Sequence, residues 1–181
     1  MRIGLLCADN VDPSIADRLR DSLLASFQEV ECTLLTEALV IPSGAFDETR
    51  GQYRSNVILK SVNEQATRQA ALERILGVVD VDIFVPPLSF VFGEAECPGR
   101  AALISLFRLR PEFYGQRPDV EAFLERVEKE AVHEIGHTLG LKHCSNPFCV
   151  MHFSNSIFDT DRKQSLFCGR CQRKIEALMA P

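Results

Sequence analysis

An α/β sandwich, with helices packed on a mixed sheet, is the fold class that the sequence predicts. Three observations carry it. Segments of strand and helix character alternate in the order βαβαβββα, the pattern of a sheet covered by helices. The strand candidates are short apolar or β-branched runs bounded by Pro and Gly, whereas the helix candidates repeat apolar residues every three to four positions. The 181 residues, 46% hydrophobic and 25% charged, suit one soluble domain with a proper core.

Each element has a local reason. Ile3–Cys7 reads as a buried strand. Pro13 leads into a helix, Asp17 to Phe27, with Ile15, Leu19, Leu23 and Phe27 at four-residue spacing. Glu31–Ile41 alternates loosely and stops at Pro42, so it is expected as a strand, with 42–51 a loop. From Gln52 to about Leu76 the pattern is helical, interrupted near Asn63, with Tyr53, Val57, Leu59 and Val62 on or near one face. Val78–Val85 is a β-branched strand ended by Pro86-Pro87. Ser89–Glu96 and Ala101–Leu109 are two more strands around a Cys97-Pro98-Gly99 turn. Pro118 suits a first helical position, and Asp119 and Glu121 suit the positive end of the helix dipole. Val120, Leu124, Val127, Ala131 and Ile135 then mark a long helix that stops at Gly140. A short helix, Gly169–Met179, buries Ile175 and Met179.

The net charge of −5 argues against a domain that binds nucleic acid or an anionic membrane over its whole surface. The longest stretch without a charged residue, His143–Phe158, contains Ser, Asn and Pro and fits no membrane helix. The N-terminal apolar run meets Asp9 too early for a signal peptide, so a cytoplasmic protein is expected. Seven cysteines are many, and odd, for a reducing compartment. Four of them crowd into the last quarter, and all four histidines lie between 133 and 152, a clustering that points to metal.

His133-Glu134-Ile135-Gly136-His137 lies on the long helix. Residues i and i+4 share a face, so both imidazoles can reach one metal, with Glu134 beside it to take a proton from water. A continuing helix could not return His143 to the same ion, but Gly140 can turn the chain and make it a third nitrogen ligand. Three ligands and an open position are the mark of catalytic zinc. Cys144, Cys149, Cys168 and Cys171, spaced C-x₄-C and C-x₂-C, can close a second, tetrahedral and structural zinc site. Cys7, Cys32 and Cys97 lack partners at ligand spacing and are expected as buried free thiols.

His133-Glu134-x-x-His137-x-x-Gly140-x-x-His143-Cys144-x₄-Cys149-x-Met151, followed by Cys168-x-x-Cys171, resembles the archaemetzincin family of metzincin zinc peptidases. The likeness extends to Gly51-Gln52-Tyr53, Leu88–Ala95 and Arg108-Leu109-Arg110, and so covers nearly the whole chain. It implies a compact metzincin-like fold with a mixed twisted sheet of about five strands. It also implies one catalytic and one four-cysteine zinc, Met151 in a methionine turn beneath the metal, and neither signal peptide nor propeptide. Sixteen residues separate Met151 from Cys168, one fewer than the family spacing. Where some metzincins carry an oxyanion-stabilising tyrosine, Phe153 stands, without a hydroxyl. The resemblance further implies that Phe90, Val91, Phe92, Gly93, Glu94 and Ala95 form the sheet edge above the metal. That edge either accepts an extended peptide or is merely blunted by Glu94 and Glu96.

The reading is a monomeric zinc metallopeptidase for a peptide or protein substrate. Residues 1–181 make one domain: 1–142 carry the sheet and active-site helix, and 143–181 the methionine turn and four-cysteine zinc subdomain. The alternative is a non-catalytic, zinc-stabilised binding module. Arg162, Lys163, Arg170, Arg173 and Lys174 could then contact nucleic acid or an acidic protein. The intact Glu134 and the overall acidity favour the enzyme.

Overall fold

In the computed structural model, which describes residues 1–179, the chain runs in a regular order. β1 (Arg2–Cys7), α1 (Pro13–Ser26), β2 (Glu31–Leu34), β3 (Phe46–Asp47), β4 (Gln52–Arg54) and α2 (Ser55–Arg68) come first. β5 (Arg74–Val79), β6 (Ile83–Phe84), β7 (Gly93–Ala95) and β8 (Ala101–Ser105) follow. The chain continues through α3 (Val120–Thr138), α4 (Ile157–Arg162) and α5 (Gly169–Met179). The last two residues of the expected domain, 180 and 181, lie outside the described residues.

Five strands form a mixed sheet in the order β2-β1-β5-β8-β7. All neighbours are parallel except β7, which runs antiparallel to β8 and leaves the sheet with an open edge. α1 and α3 pack together over one face, and α2 covers the other. The apolar sequences of β5 and β8 follow from that, because a strand covered on both faces has no solvated side to make polar. β3, β4 and β6 make a second, three-stranded sheet beyond the ends of the first.

Several expected boundaries move. Only Glu31–Leu34 of the 31–41 segment pairs in the sheet, because β2 is an exposed edge four residues long. The 42–51 loop carries strand β3. The 52–76 segment is three elements: β4, an uninterrupted α2, and β5, which begins at Arg74 rather than at Val78. The sequence beyond Arg68 contains neither Gly nor Pro before Arg74, so nothing local announces the change from helix to strand. Of 89–96 only Gly93–Ala95 is strand; Phe90, Val91 and Phe92 belong to the approach to it. β8 stops at Ser105, and Phe107–Leu109 turn as a 3₁₀ segment. The long helix starts at Val120 with Asp119, not Pro118, at its boundary: the Asp119 carboxylate accepts from the Ala122 amide at 3.0 Å.

Candidate active site and metal centres

α3 is buried from Arg126 onward, and its last two turns carry the candidate site. His133 and His137 sit one turn apart on the face turned towards β7 and the C-terminal segment. The helix ends in a Schellman turn: Gly140 takes φ +94°, its amide donates to His137 O, and the Leu141 amide donates to Gly136 O. A side chain at position 140 would be strained in that conformation. The turn reverses the chain and returns His143 to the first two histidines.

The three Nε2 atoms converge. His137 Nε2 lies 3.0 Å from His133 Nε2 and 3.2 Å from His143 Nε2. The Nδ1–H of His133 donates to Val150 O and that of His137 to Leu141 O, both at 2.7 Å, which leaves the Nε2 atoms as lone-pair donors. Lone pairs directed at one point repel unless a cation lies between them. The spacing matches the edge, about 3.3 Å, of a tetrahedron around zinc with 2.0–2.1 Å bonds, so the donor set fits that ion. Burial, reinforced by the Lys163 ammonium, holds His133 neutral far below the usual imidazole range. Burial also lowers His137 and brings His143 to about 4, so all three are in the ligand state at neutral pH.

Glu134 is buried against the sheet edge. A Cβ on Gly93 would fall 2.6 Å from Glu134 Oε1 and 2.7 Å from Leu103 O, so β7 makes room for the carboxylate by having no side chain there. Burial, and then the Glu130 carboxylate, push Glu134 well above the ordinary carboxylate range. A cation at the histidines acts in the opposite sense. Met151 is fully buried beneath the helix: a Cβ on Gly136 would lie 2.6 Å from its Sδ. The Phe153 ring packs against the His143 ring, the centroids 4.8 Å apart and the planes tilted by 54°. A cleft of about 440 Å³ opens over these groups, walled by Leu88, Phe90 and Phe92 on one side and Phe153 and Ser154 on the other.

The four late cysteines form a second cluster. Their sulfurs lie within 4.8 Å of one another, and the Cys144 and Cys168 sulfurs are 3.8 Å apart. That is far beyond a disulfide, and it is the edge of a zinc tetrathiolate with 2.3 Å bonds. The amides of Asn146 and Cys168 and the Arg170 guanidinium donate to these sulfurs. The Cys171 amide, foremost among several donors, lowers Cys168 to about 6. The Cys144 amide donates to Met151 O at 2.8 Å, and His152 Nδ1 donates to Cys144 O at 2.9 Å. The two clusters therefore share one scaffold.

Residues 9–177 match the family described as Peptidase family M54. The chain belongs to the archaemetzincin family. It is 46% identical to the archaemetzincin of Methanocaldococcus jannaschii over 164 residues, 90% of this chain and 88% of that one. The crystal structure of the Methanopyrus kandleri archaemetzincin superposes with a TM-score of 0.87 at 37% identity, covering 99% of this chain and 95% of that one. The Archaeoglobus fulgidus archaemetzincin, crystallised with malonate, gives 0.80 at 40% identity, with 96% and 99% covered. This archaemetzincin is accordingly a zinc metallopeptidase.

Some of its site residues escape a reading of sequence. Glu130 lines the cleft one turn before His133 and Glu134, on the same helix face that the motif marks. Its partner Lys163 is wholly buried, with Nζ 2.8 Å from Glu130 Oε1 but off the axis of a hydrogen bond, and Thr160 Oγ1 donates to the same oxygen. Thirty-three positions separate the pair in the chain, and no local pattern announces it. Lys163 thus leaves the basic surface on which the binding-module alternative relied. Cys97 is exposed rather than buried, and Cys7 and Cys32 are half-buried. Tyr53 lies on β4 against Phe46, not on a helix.

Proposed function

We propose that this archaemetzincin hydrolyses peptide bonds using zinc held by His133, His137 and His143, with Glu134 as general base, and that zinc held by Cys144, Cys149, Cys168 and Cys171 is structural. The observation that carries the reading is the convergence of three Nε2 lone pairs beside a buried carboxylate. Zinc, when bound there, supplies a Lewis acid that polarises the scissile carbonyl and lowers the pKa of water towards neutrality. Glu134 takes a proton from the attacking water and delivers it to the leaving amine. Its seat between α3 and β7 fixes the direction of that transfer. Met151 shapes the apolar floor without binding metal.

The substrate, a peptide or an extended protein segment, adds as a further strand along Gly93, Glu94 and Ala95, the open edge of the sheet. Phe90, Val91 and Phe92 wall the cleft at the head of that strand. Residues 1–142 and 143–181 work as one unit, a reading supported by the bonds that join Cys144 to Met151 and His133 to Val150. Seven cysteines, four of them gathered as a metal-ligand cluster, suit a reducing compartment and so support a cytoplasmic enzyme. Among the described residues no helix is long and apolar enough to cross a membrane.

The test is metal removal and return. Protein purified under reducing conditions is expected to carry two zinc ions. A mild chelator should abolish peptide cleavage, and added zinc should restore it. Cleavage that persists in metal-free protein contradicts the reading.

A further inference from the structure

Two segments that carry the family resemblance, Gly51-Gln52-Tyr53 and Arg108-Leu109-Arg110, contribute nothing to either metal cluster. They meet under the wall of the cleft. Arg108 Nε and Nη2 pair with the two oxygens of Asp82 at 2.6 and 2.8 Å. The same guanidinium lies over the Phe90 ring at 4.4 Å and over the Phe113 ring at 4.7 Å. Gln52 donates from one amide nitrogen to Asp82 Oδ2 at 3.0 Å and to Ser89 O at 3.1 Å. Arg50 adds a bond to the same Ser89 carbonyl at 2.8 Å. Ser89 and Phe90 belong to the irregular segment between β6 and β7, and Phe90 faces the cleft.

We propose that Arg108 is a positioning residue of the cleft: locked to Asp82 and stacked on Phe90, it holds the 88–92 wall at the spacing a bound peptide requires. The backbone bonds of this segment, Leu88 N to Val85 O, Val91 N to Ile83 O and Ser105 N to Phe92 O, leave Ser89 and Phe90 to be held by side-chain partners. Here a single charged side chain supplies two. Its planar fork satisfies both oxygens of Asp82, and its face carries an aromatic ring. Gln52 couples the ion pair to the backbone of the wall, so the ring and the carbonyl next to it are fixed by one network. Lysine cannot replace this arginine, since an ammonium offers no planar face and no paired fork. Phe90 contributes to the wall of the cleft, so the network's effect falls on substrate side chains and not on the metal.

The functional consequence rests on the peptidase reading, and the test separates the two. Binding of a peptide hydroxamate and of acetohydroxamate to zinc-loaded protein is measured by calorimetry for wild type, Arg108→Ala, Arg108→Lys and Asp82→Asn. Hydrogen exchange is followed across the chain. Acetohydroxamate reports the metal alone; the peptide form adds contact with the wall. We expect Arg108→Ala and Arg108→Lys to weaken the peptide hydroxamate about tenfold, leave acetohydroxamate unchanged, and speed exchange in 88–92 only. In turnover, KM rises while kcat holds. The proposal is overturned if both ligands weaken together with faster exchange throughout, which is a general structural role. It is equally overturned if peptide binding and exchange in 88–92 stay as in wild type. Should wild type bind neither hydroxamate, the metal reading fails, and unchanged exchange in Asp82→Asn and Arg108→Lys would overturn the lock itself.

Discussion

Glu134 and Gly93 constrain each other. An alanine at 93 would press a methyl group on the flexible end of Glu134 and, at 2.7 Å, on the Leu103 carbonyl, which is backbone and cannot move cheaply. Gly93→Ala should therefore cost about 1–3 kcal/mol of stability, as overpacking does, and displace the carboxylate. Thermal melting with zinc content and kcat will show it: the expected result is retained zinc, a lower Tm and at least a tenfold loss of kcat, since a misplacement of about 1 Å can cost up to about a hundredfold. The histidines give a pH prediction for the metal-free chain. Burial lowers His143 to about 4, whereas an unfolded histidine titrates near 6.5. Between those values the unfolded chain binds the proton and the folded one does not, so stability falls as the pH drops through that window and is complete above it. Melting of chelated protein from pH 7.5 to 4.5 should show a shallower loss in His143→Ala than in wild type.

At the scale of elements, the cysteine knuckle holds the turn that serves the histidines. Cys144 follows His143 directly, its amide caps Met151 O, and Val150 O accepts from His133. The structural zinc proposed for the four cysteines would also be folding free energy, since such sites contribute roughly 10–16 kcal/mol in small peptide hosts. Cys168→Ser should lower Tm sharply, whereas His143→Ala should remove one zinc and leave Tm nearly intact; calorimetry with elemental analysis distinguishes them. How much of this was legible in the sequence depends on range. α1 and α3 were readable, because apolar periodicity and the Gly140 stop are local signals, and the convergence of the three histidines was readable because they fall within eleven residues. α2 and β5 fused into one expected helix, since the apolar run Ile75-Leu76 continues the helical pattern with no breaker between them. Arg108, Asp82, Gln52 and Ser89, and likewise Glu130 and Lys163, meet only after folding, and no spacing rule links residues so far apart in the chain.

The main sheet has β2 and β7 at its two edges, and the candidate site lies where the β7 edge, the end of α3 and the C-terminal segment come together. Arg126 and Asp161 share two bonds, at 2.6 and 2.9 Å, and with Glu130 and Lys163 they tie α4 to α3, so the C-terminal segment is fastened to the helix that carries His133 and His137. This arrangement leaves the three histidines, Glu134 and the strand edge facing one cleft, and the proposed hydrolysis requires those three to act together. The most direct measurement compares wild type with Glu134→Gln on a peptide library, with the zinc content of each determined on the same samples. The amide keeps the shape of the carboxylate and cannot accept the proton. The expected result is equal zinc in the two proteins and a fall in cleavage rate on the order of 10²–10⁴ in the variant. Cleavage by zinc-loaded Glu134→Gln at a rate close to that of wild type would contradict it.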